Sequence, residues 1–510
     1  MDSRNFLGIE LGSTRIKAVL IDEKHEVITA ASHHWENQLE EGHWTYHLDG
    51  VWAGLQDCMR QIITHSEFRI PNCIGVSAMM HGYLAFDGAG RQLTAFRTWR
   101  NTTTGQASGE LSALFGFRVP QRWSVAHLYQ AMLHREPHVK DAAFLTTLAG
   151  YVHWRLTGEK VLGVGDASGM FPVDEAGNYN ADMLAKFQSL TQCDLKTLLP
   201  AVLTAGEPAG VLTQEGARLL DPTGTLPAGI PFCPPEGDAG TGMVATNSVG
   251  AGAGNVSAGT SIFAMAVLDK APAHALAGID MVTTPAGKPV AMVHCNNCTS
   301  DIDAFAGLFR QGLGLFHTRV PAADIYDTLY AAALEGEADC GGVLSYNFFA
   351  GEPIAGIEKG CPLLCRGPAA RLTPANLMRS LVFSAVAGLR LGLDILAKEQ
   401  IRLQKITGHG GFFKSGAAGQ RLLAAALDVP VTVMRSAGEG GAYGMALLAA
   451  YKEQNDGETL EEYLSTKVFA GAACTTIQPD EADRQGFERY FERYKAGLGA
   501  VNAAGKAFGE

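Results

Sequence analysis

The chain has no cysteine framework. Its ten cysteines, at 58, 73, 193, 233, 295, 298, 340, 361, 365 and 474, follow no regular spacing. A disulfide scaffold is excluded, and reduced thiols of a cytosolic protein are the expectation. No apolar run is read as long enough to span a membrane. No low-complexity tract and no solenoid period occurs. The first apolar strand begins within a few residues of Met1, so no secretion leader is expected and the cytoplasm is the expected location. Basic excess is missing too: 40 Lys and Arg stand against 52 Asp and Glu, a net charge of −12. That sign disfavours nucleic acid and anionic membrane as partners. An anionic ligand must instead be held locally, by backbone donors and a metal ion.

What is abundant is glycine. The 510 residues include 60 of them, against about 36 at the usual frequency of roughly 7%. The excess lies in short loops, where small residues let backbone N–H groups approach an anion. Apolar residues make up 47% and charged residues 18%, as in a folded enzyme long enough for several domains.

Residues 8–17, GIELGSTRIK, form an apolar strand, a Gly12-Ser13-Thr14 turn and a returning strand. Residues 254–261, GNVSAGTS, repeat that layout at the start of the second half. Each is either an ordinary hairpin or a phosphate loop. Two of them, one per half, suit a two-lobed ATP-binding enzyme. Glu10 ends a buried strand beside the first turn, which is costly without a cation or donors; Mg²⁺ is the expected partner. Lys17 is either a solvated strand residue or a phosphate contact. In the second loop Gly259 offers backbone access, and Ser257, Thr260 and Ser261 offer hydroxyls.

Between the loops, residues 49–63 show helical periodicity with Asp49 as N-cap. Ile74–Met79 reads as a buried strand leading into Met80-His81-Gly82. Tyr83–Phe86 and Gln92–Trp99 read as a hairpin, and residues 105–220 as a helical insertion. An apolar approach from Pro227 ends at Gly237-Asp238. Asp238, ringed by glycines, is either a turn or helix cap or a general base that takes a proton from a hydroxyl during phosphoryl transfer. The lobes divide near 245–252, giving domains 1–248 and 249–510. Thr373 caps a helix to about 398 with Pro374 in its first turn. A strand from Ile406 runs into Gly410-Gly411, able to admit adenine or ribose against bare backbone. Ser415 caps the next helix, Val429–Met434 is the last strand, and a Gly/Ala-rich helix over 438–451 is expected to pack closely on it. Cys295 and Cys298 have metal-ligand spacing without a second pair, so buried packing thiols are expected there. His33, His34, His43 and His47 are either metal ligands or, with Trp44 and Tyr46 alternating among them, a strand edge or loop.

Taken in order, these motifs resemble the FGGY family of carbohydrate kinases over nearly the whole chain. GIELGST resembles the family's first phosphate motif, SAMMHG (77–82) its sugar-contact motif, GDAGTG (237–242) the loop with the catalytic aspartate, and GNVSAGTS the second phosphate motif. YNFFAGEP (346–353) is similar to a Gly-Glu segment near the hinge, and GHGGFFKSG (408–416) resembles the adenosine-site signature. The resemblance implies an α/β protein with two ribonuclease-H-like (actin/hexokinase-type ATPase) domains flanking a cleft. It implies ATP-dependent phosphorylation, with Mg²⁺, of a ketose or polyol. Asp238 is then the catalytic base. Met80, His81, Gly82, Trp99 and Asn101 contact sugar. Gly12, Ser13, Thr14, Lys17, Gly259, Thr260, Gly410, Gly411, Phe412 and Ser415 bind nucleotide, and Glu10 binds the metal. Partners are a small sugar and ATP, with a homodimer left open. The xylulose kinases are the members most similar in length and layout.

The chain departs from the family at three places. Glu10 stands where Asp is usual, Met79 where Gln is common, and Trp99-Arg100-Asn101-Thr102-Thr103 replaces a Trp-x-Asp-x-Arg pattern. Without that Asp and Arg, the wall offers neutral donors and acceptors, so an uncharged ketopentose or related polyol, D-xylulose first, is expected, and not a sugar acid or amino sugar. Ribulose, fuculose, rhamnulose or glycerol-type substrates are the alternatives, with a non-catalytic actin-like ATP sensor as the rival class.

Overall fold

Side chains alternate faces along a strand, and the first hairpin uses both. In β1 (Asn5–Leu11) and β2 (Arg15–Asp22), Leu7, Ile9, Leu11, Ile16, Ala18 and Leu20 face one core, while Phe6, Val19 and Ile21 face another. The first core is closed by α1 (Leu48–Ile63), whose Val51, Leu55, Met59 and Ile62 are buried. Its N-cap position is His47, with no side-chain cap, so Asp49 is a first-turn acid favoured by the helix dipole and not the cap.

The computed structural model describes residues 4–414, 416–434 and 440–508. With β3 (Val27–His34), β4 (Cys73–Ala78) and β5 (Glu236–Gly237), the first sheet has the order β5-β4-β1-β2-β3. The β1-β2-β3 meander is antiparallel, and β4 and β5 add in parallel. Helix α2 (Asp238–Ala245) leaves β5 directly.

The second half repeats this plan. Strands β6 (Ala253–Ala258), β7 (Ile262–Val267), β8 (Ile279–Thr283), β9 (Pro289–Cys295), β10 (Lys405–His409), β11 (Val431–Met434) and β12 (Cys474–Ile477) form a sheet of order β8-β9-β7-β6-β10-β11-β12. Removing the edge strands β8 and β12 leaves the order of the first sheet, with the parallel pairs β6–β10 and β10–β11 matching β1–β4 and β4–β5. Two ribonuclease-H-like lobes of mixed α/β structure result.

Helix α3 (Pro374–Lys398) has Thr373 as N-cap, accepting from the Asn376 N–H, and Pro374 in its first turn. By length and composition it could span a membrane, which corrects the reading that no segment could. It is the buried central helix of the second lobe. There Arg379 pairs with Asp483, which also accepts from Arg421 Nε at 2.7 Å. That ties α3 to α4 (Ala417–Leu427) and to a C-terminal helix over Glu481–Phe508.

One expectation is extended and one corrected. The hairpin over Tyr83–Phe86 and Gln92–Trp99 forms loosely, with Tyr83 and Arg97 exchanging N–H bonds at 2.9 and 3.2 Å and the Leu93 N–H donating to the Ala85 carbonyl at 2.9 Å, and Leu84–Phe86 pairs in addition with Phe144–Thr146. The Gly/Ala helix, α5 (Gly440–Gln454), does not pack on β11. It lies on β1, β4 and α2 of the first lobe. A Cβ on Gly8 would stand 2.1 Å from the Ala442 carbonyl. The helix backbone thus rests on the strand backbone, a contact only glycine permits.

Candidate active site

Glu10 and Asp238 meet where β1, β5, α2 and α5 converge. Asp238 is the first residue of α2, and its Oδ1 accepts from the Met80 N–H at 3.0 Å. Burial raises its pKa, and the N–H groups of Met80 and Ala239 work against that rise. Asp238 is only half-buried, so a ligand can reach it. Glu10 lies opposite Lys17 in the β1–β2 register. Burial, and then the charge of Asp238, push the Glu10 pKa up to about 7; Lys17 and the backbone N–H groups of Ala442 and Gly441 oppose them. Two carboxylates that repel each other beside one lysine fit a hard cation with oxygen ligands.

The first glycine turn is pinned from outside by aromatics. Trp35 Nε1 donates to the Gly12 carbonyl at 2.7 Å and Tyr46 Oη to the Ser13 carbonyl at 2.6 Å. Trp99 Nε1 donates to Ser13 Oγ at 3.3 Å. Thr14 is exposed. In the second loop the Gly259 N–H donates to the Ser261 carbonyl at 2.9 Å, Thr260 is exposed, and nothing lies within 4 Å of where a Gly259 Cβ would sit. Gly410 adjoins that loop. Its φ is +105° and an added Cβ would stand 2.3 Å from the Ala258 carbonyl. Gly411 follows at the mouth, open within 4 Å. Thr14, Gly259, Thr260 and Gly411 thus keep a face free for a ligand.

Others do not. Phe412 is buried in the second-lobe core, edge-on to Tyr330 and Phe413. It lies against Gly419 and, 1% exposed, presents no face to a nucleotide. Asn101 is spent on backbone: Oδ1 accepts from the Trp44 N–H at 2.8 Å, and Nδ2 donates to the carbonyls of Trp44 and Thr98. Both N–H bonds are used, so Asn101 has no donor for a sugar. Ser415 lies outside the described residues, as does Gly438 of the expected last helix; α4 itself has Gly416 at its N-cap position.

His81 takes φ +73°, which is uncommon for a residue with a side chain and marks a conformation held by its surroundings. Gly82 follows at φ +96°. His81 Nδ1 donates to the Gly169 carbonyl at 3.2 Å and the ring stacks on Trp123. Burial drives its pKa down to about 3, so the ring is neutral and Nε2 is an acceptor.

Two carboxyls escaped the sequence reading. Glu236 accepts from the N–H groups of Gly165 and Asp166, and burial pushes its pKa up to about 8. Asp166 accepts from Thr147 Oγ1 at 2.6 Å, its Oδ1 is buried without a partner, and burial takes its pKa to about 7. The available signal was a second Gly-Asp step, Gly165-Asp166, matching Gly237-Asp238. The charge-free wall is also corrected. Arg122, whose carbonyl accepts from the Gly82 N–H at 3.1 Å, reaches Asp280 of β8 with Nη2 at 2.5 Å, and Arg118 Nε reaches the same carboxylate at 2.6 Å.

Known proteins share this fold. The sequence model of the FGGY family of carbohydrate kinases matches over residues 5–245 for its N-terminal domain and 254–453 for its C-terminal domain. A xylulose kinase of Haemophilus influenzae is 22% identical over 513 residues, covering 96% of this chain and 98% of that one. The crystal structure of xylulose kinase from Rhodospirillum rubrum superposes with a TM-score of 0.82 at 20% identity, over 98% of this chain and 99% of that one. Gluconate kinase from Lactobacillus acidophilus gives a TM-score of 0.82 at 16% identity, over 99% and 100%. At these identities the structural likeness speaks for the fold.

Proposed function

The chain belongs to the FGGY family of carbohydrate kinases, a family of phosphotransferases, and on that premise we propose that it moves the γ-phosphoryl group of ATP to a hydroxyl of a neutral ketose, D-xylulose first, giving the 5-phosphate. The observation that carries this reading is Asp238. It is half-buried at the start of α2, fixed through Oδ1 by the Met80 N–H, and adjacent to Glu10.

In the proposed reaction the sugar hydroxyl lies on Asp238 Oδ2. Its oxygen forms the new bond to phosphorus, its proton passes to Asp238, and the bond to the bridging oxygen breaks to release ADP. Oδ1 cannot swing away, because the Met80 N–H holds it. The Gly12–Thr14 and Gly259–Ser261 loops receive phosphates through backbone and hydroxyl donors. The ribose and adenine lie along Gly410-Gly411, and domains 1–248 and 249–510 supply opposite walls of the cleft. Mg²⁺, held at Glu10, would neutralise phosphate charge. His81 Nε2 accepts from a sugar hydroxyl, and Trp99 braces the first loop. The reduced cysteines suit the cytoplasm.

A screen of neutral ketoses, aldoses, polyols and sugar acids for sugar-dependent ADP release tests this reading. Best activity on D-xylulose supports it. Best activity on another neutral ketose keeps the mechanism and replaces the substrate. Absence of ADP release with every sugar removes the kinase reading in favour of an ATP-binding sensor.

A further inference from the structure

His81, Arg122, Asp280 and His294 form a corner of the cleft beyond Asp238. The path to it is continuous: Asp238 Oδ1 holds the Met80 N–H, His81 follows, and the next N–H, of Gly82, bonds the Arg122 carbonyl. Asp280 closes the corner from the second lobe, and is nearly buried while Arg122 keeps about a fifth of its side chain exposed.

Charge and donors do not balance there. Two guanidiniums share one carboxylate, and both histidines are held neutral by burial, His294 with its pKa down to about 4. One positive charge is left over. Arg122 uses only Nη2, on Asp280 Oδ2 and Met292 Sδ. Its Nε and Nη1 have no hydrogen-bond partner among the described residues. A guanidinium is a pure donor with planar geometry and matches an sp² oxygen. His81 Nε2 beside it is an acceptor and matches a hydroxyl.

Building on the kinase reading above, we propose that Arg122 determines specificity, reading an sp² oxygen at the end of the sugar remote from the phosphorylated hydroxyl: the carbonyl of a ketose or the carboxylate of an aldonic acid. A hydroxyketone end satisfies both groups, its carbonyl on Arg122 and its hydroxyl on His81 Nε2. A polyol offers the guanidinium only hydroxyl oxygens. Sites built around a particular hydrogen bond reject ligands that lack the partner, because a buried group is left unpaired.

The test compares D-xylulose, D-xylonate and xylitol as acceptors in the full-length protein, with calorimetric binding of each sugar alongside. The wild type is expected to favour D-xylulose or D-xylonate over xylitol by about 100-fold in kcat/KM; a lead for D-xylulose keeps the neutral ketose of the proposed function, and a lead for D-xylonate keeps the Arg122 subsite and replaces that substrate with a sugar acid. Arg122→Gln is expected to cut that preference at least about tenfold, through the KM of the sugar, with the KM of ATP within about twofold. Arg122→Lys keeps the charge toward Asp280 and serves if the Gln variant folds poorly; it is expected to lose the preference in part. Arg118→Gln weakens the same carboxylate from its outer side and is expected to keep the preference. Equal losses for all three sugars in Arg122→Gln, or an equal change in Arg118→Gln, would overturn the proposal. An Arg122-dependent binding preference without ADP release leaves the subsite standing and removes the kinase reading; no binding and no reaction overturns both.

Discussion

The Glu10 carboxylate sits directly over Gly441 at the start of α5: a Cβ on Gly441 would lie 2.3 Å from Glu10 Oε1 and 2.8 Å from Thr241 Oγ1. The metal-binding candidate of β1 is thus positioned by a helix that comes from the far end of the sequence. The same helix lies on Gly8 through its Ala442 carbonyl. The first strand, the last glycine-rich helix and α2 pack against one another beneath Asp238.

Gly441→Ala is therefore expected to displace Glu10 and leave the distant sugar corner in place. Misplacement by about 1 Å costs catalysis on the order of 10²-fold. The expected outcome is a kcat lowered by that order and a raised Mg²⁺ requirement, with sugar binding by calorimetry little changed. Steady-state kinetics over a Mg²⁺ series checks it. An unaltered Mg²⁺ dependence would detach Glu10 from the metal.

Among the carboxyls with raised folded-state pKa values, Asp301 reaches about 6, Glu10, Asp166 and Glu352 about 7 and Glu236 about 8, and Asp238 is raised with them. Unfolded, such groups titrate at about 4. Between those values the folded state binds more protons than the unfolded one, so stability falls as pH rises through this window and levels above about pH 8. The buried histidines His81, His127, His153 and His294, with pKa values lowered to about 3 or 4, act the other way below about pH 6.5, so the melting temperature of the ligand-free protein is expected to drop between about pH 7 and pH 8. Asp166→Asn keeps an acceptor for Thr147 but cannot ionise, so its drop is expected to be smaller. Parallel drops in the two proteins would show that Asp166 is not the proton holder.

At the second loop, Gly410→Ala would drive a methyl into the Ala258 carbonyl at a φ of +105°. It is expected to raise the KM of ATP about tenfold or more through the adjoining Gly259 turn, with the KM of the sugar little moved. Fluorescent-nucleotide titration measures this. An effect confined to the sugar would place the nucleotide elsewhere.

The repeat of hairpin and parallel strand was legible because turns and periods are local. Gly12-Ser13-Thr14 and Gly259-Thr260-Ser261 declare themselves within a few residues, and Thr373-Pro374 states its own helix start. The docking of α5 was not legible. Gly440–Gln454 is small and apolar all round, so no stripe points to the sheet it covers. Asn101 was read by its chemistry, but chemistry does not say that Trp44 and Thr98 would consume its donors. The Arg122–Asp280 pair joins residues 158 positions apart, and in the sequence neither has a neighbour that marks it. Phe412 stands inside a glycine signature and yet points into the core, because its partners Tyr330 and Phe413 bury it.

The central claim is that Asp238 is the base, and Asp238→Asn tests it most directly. The variant keeps an acceptor for the Met80 N–H and loses only the ability to take a proton. Sugar-dependent ADP release and ATP affinity are measured together on wild type and variant. The expected result is a loss of sugar phosphorylation on the order of 10² or more with nearly unchanged ATP binding. Undiminished sugar-dependent ADP release in the variant would contradict the assignment.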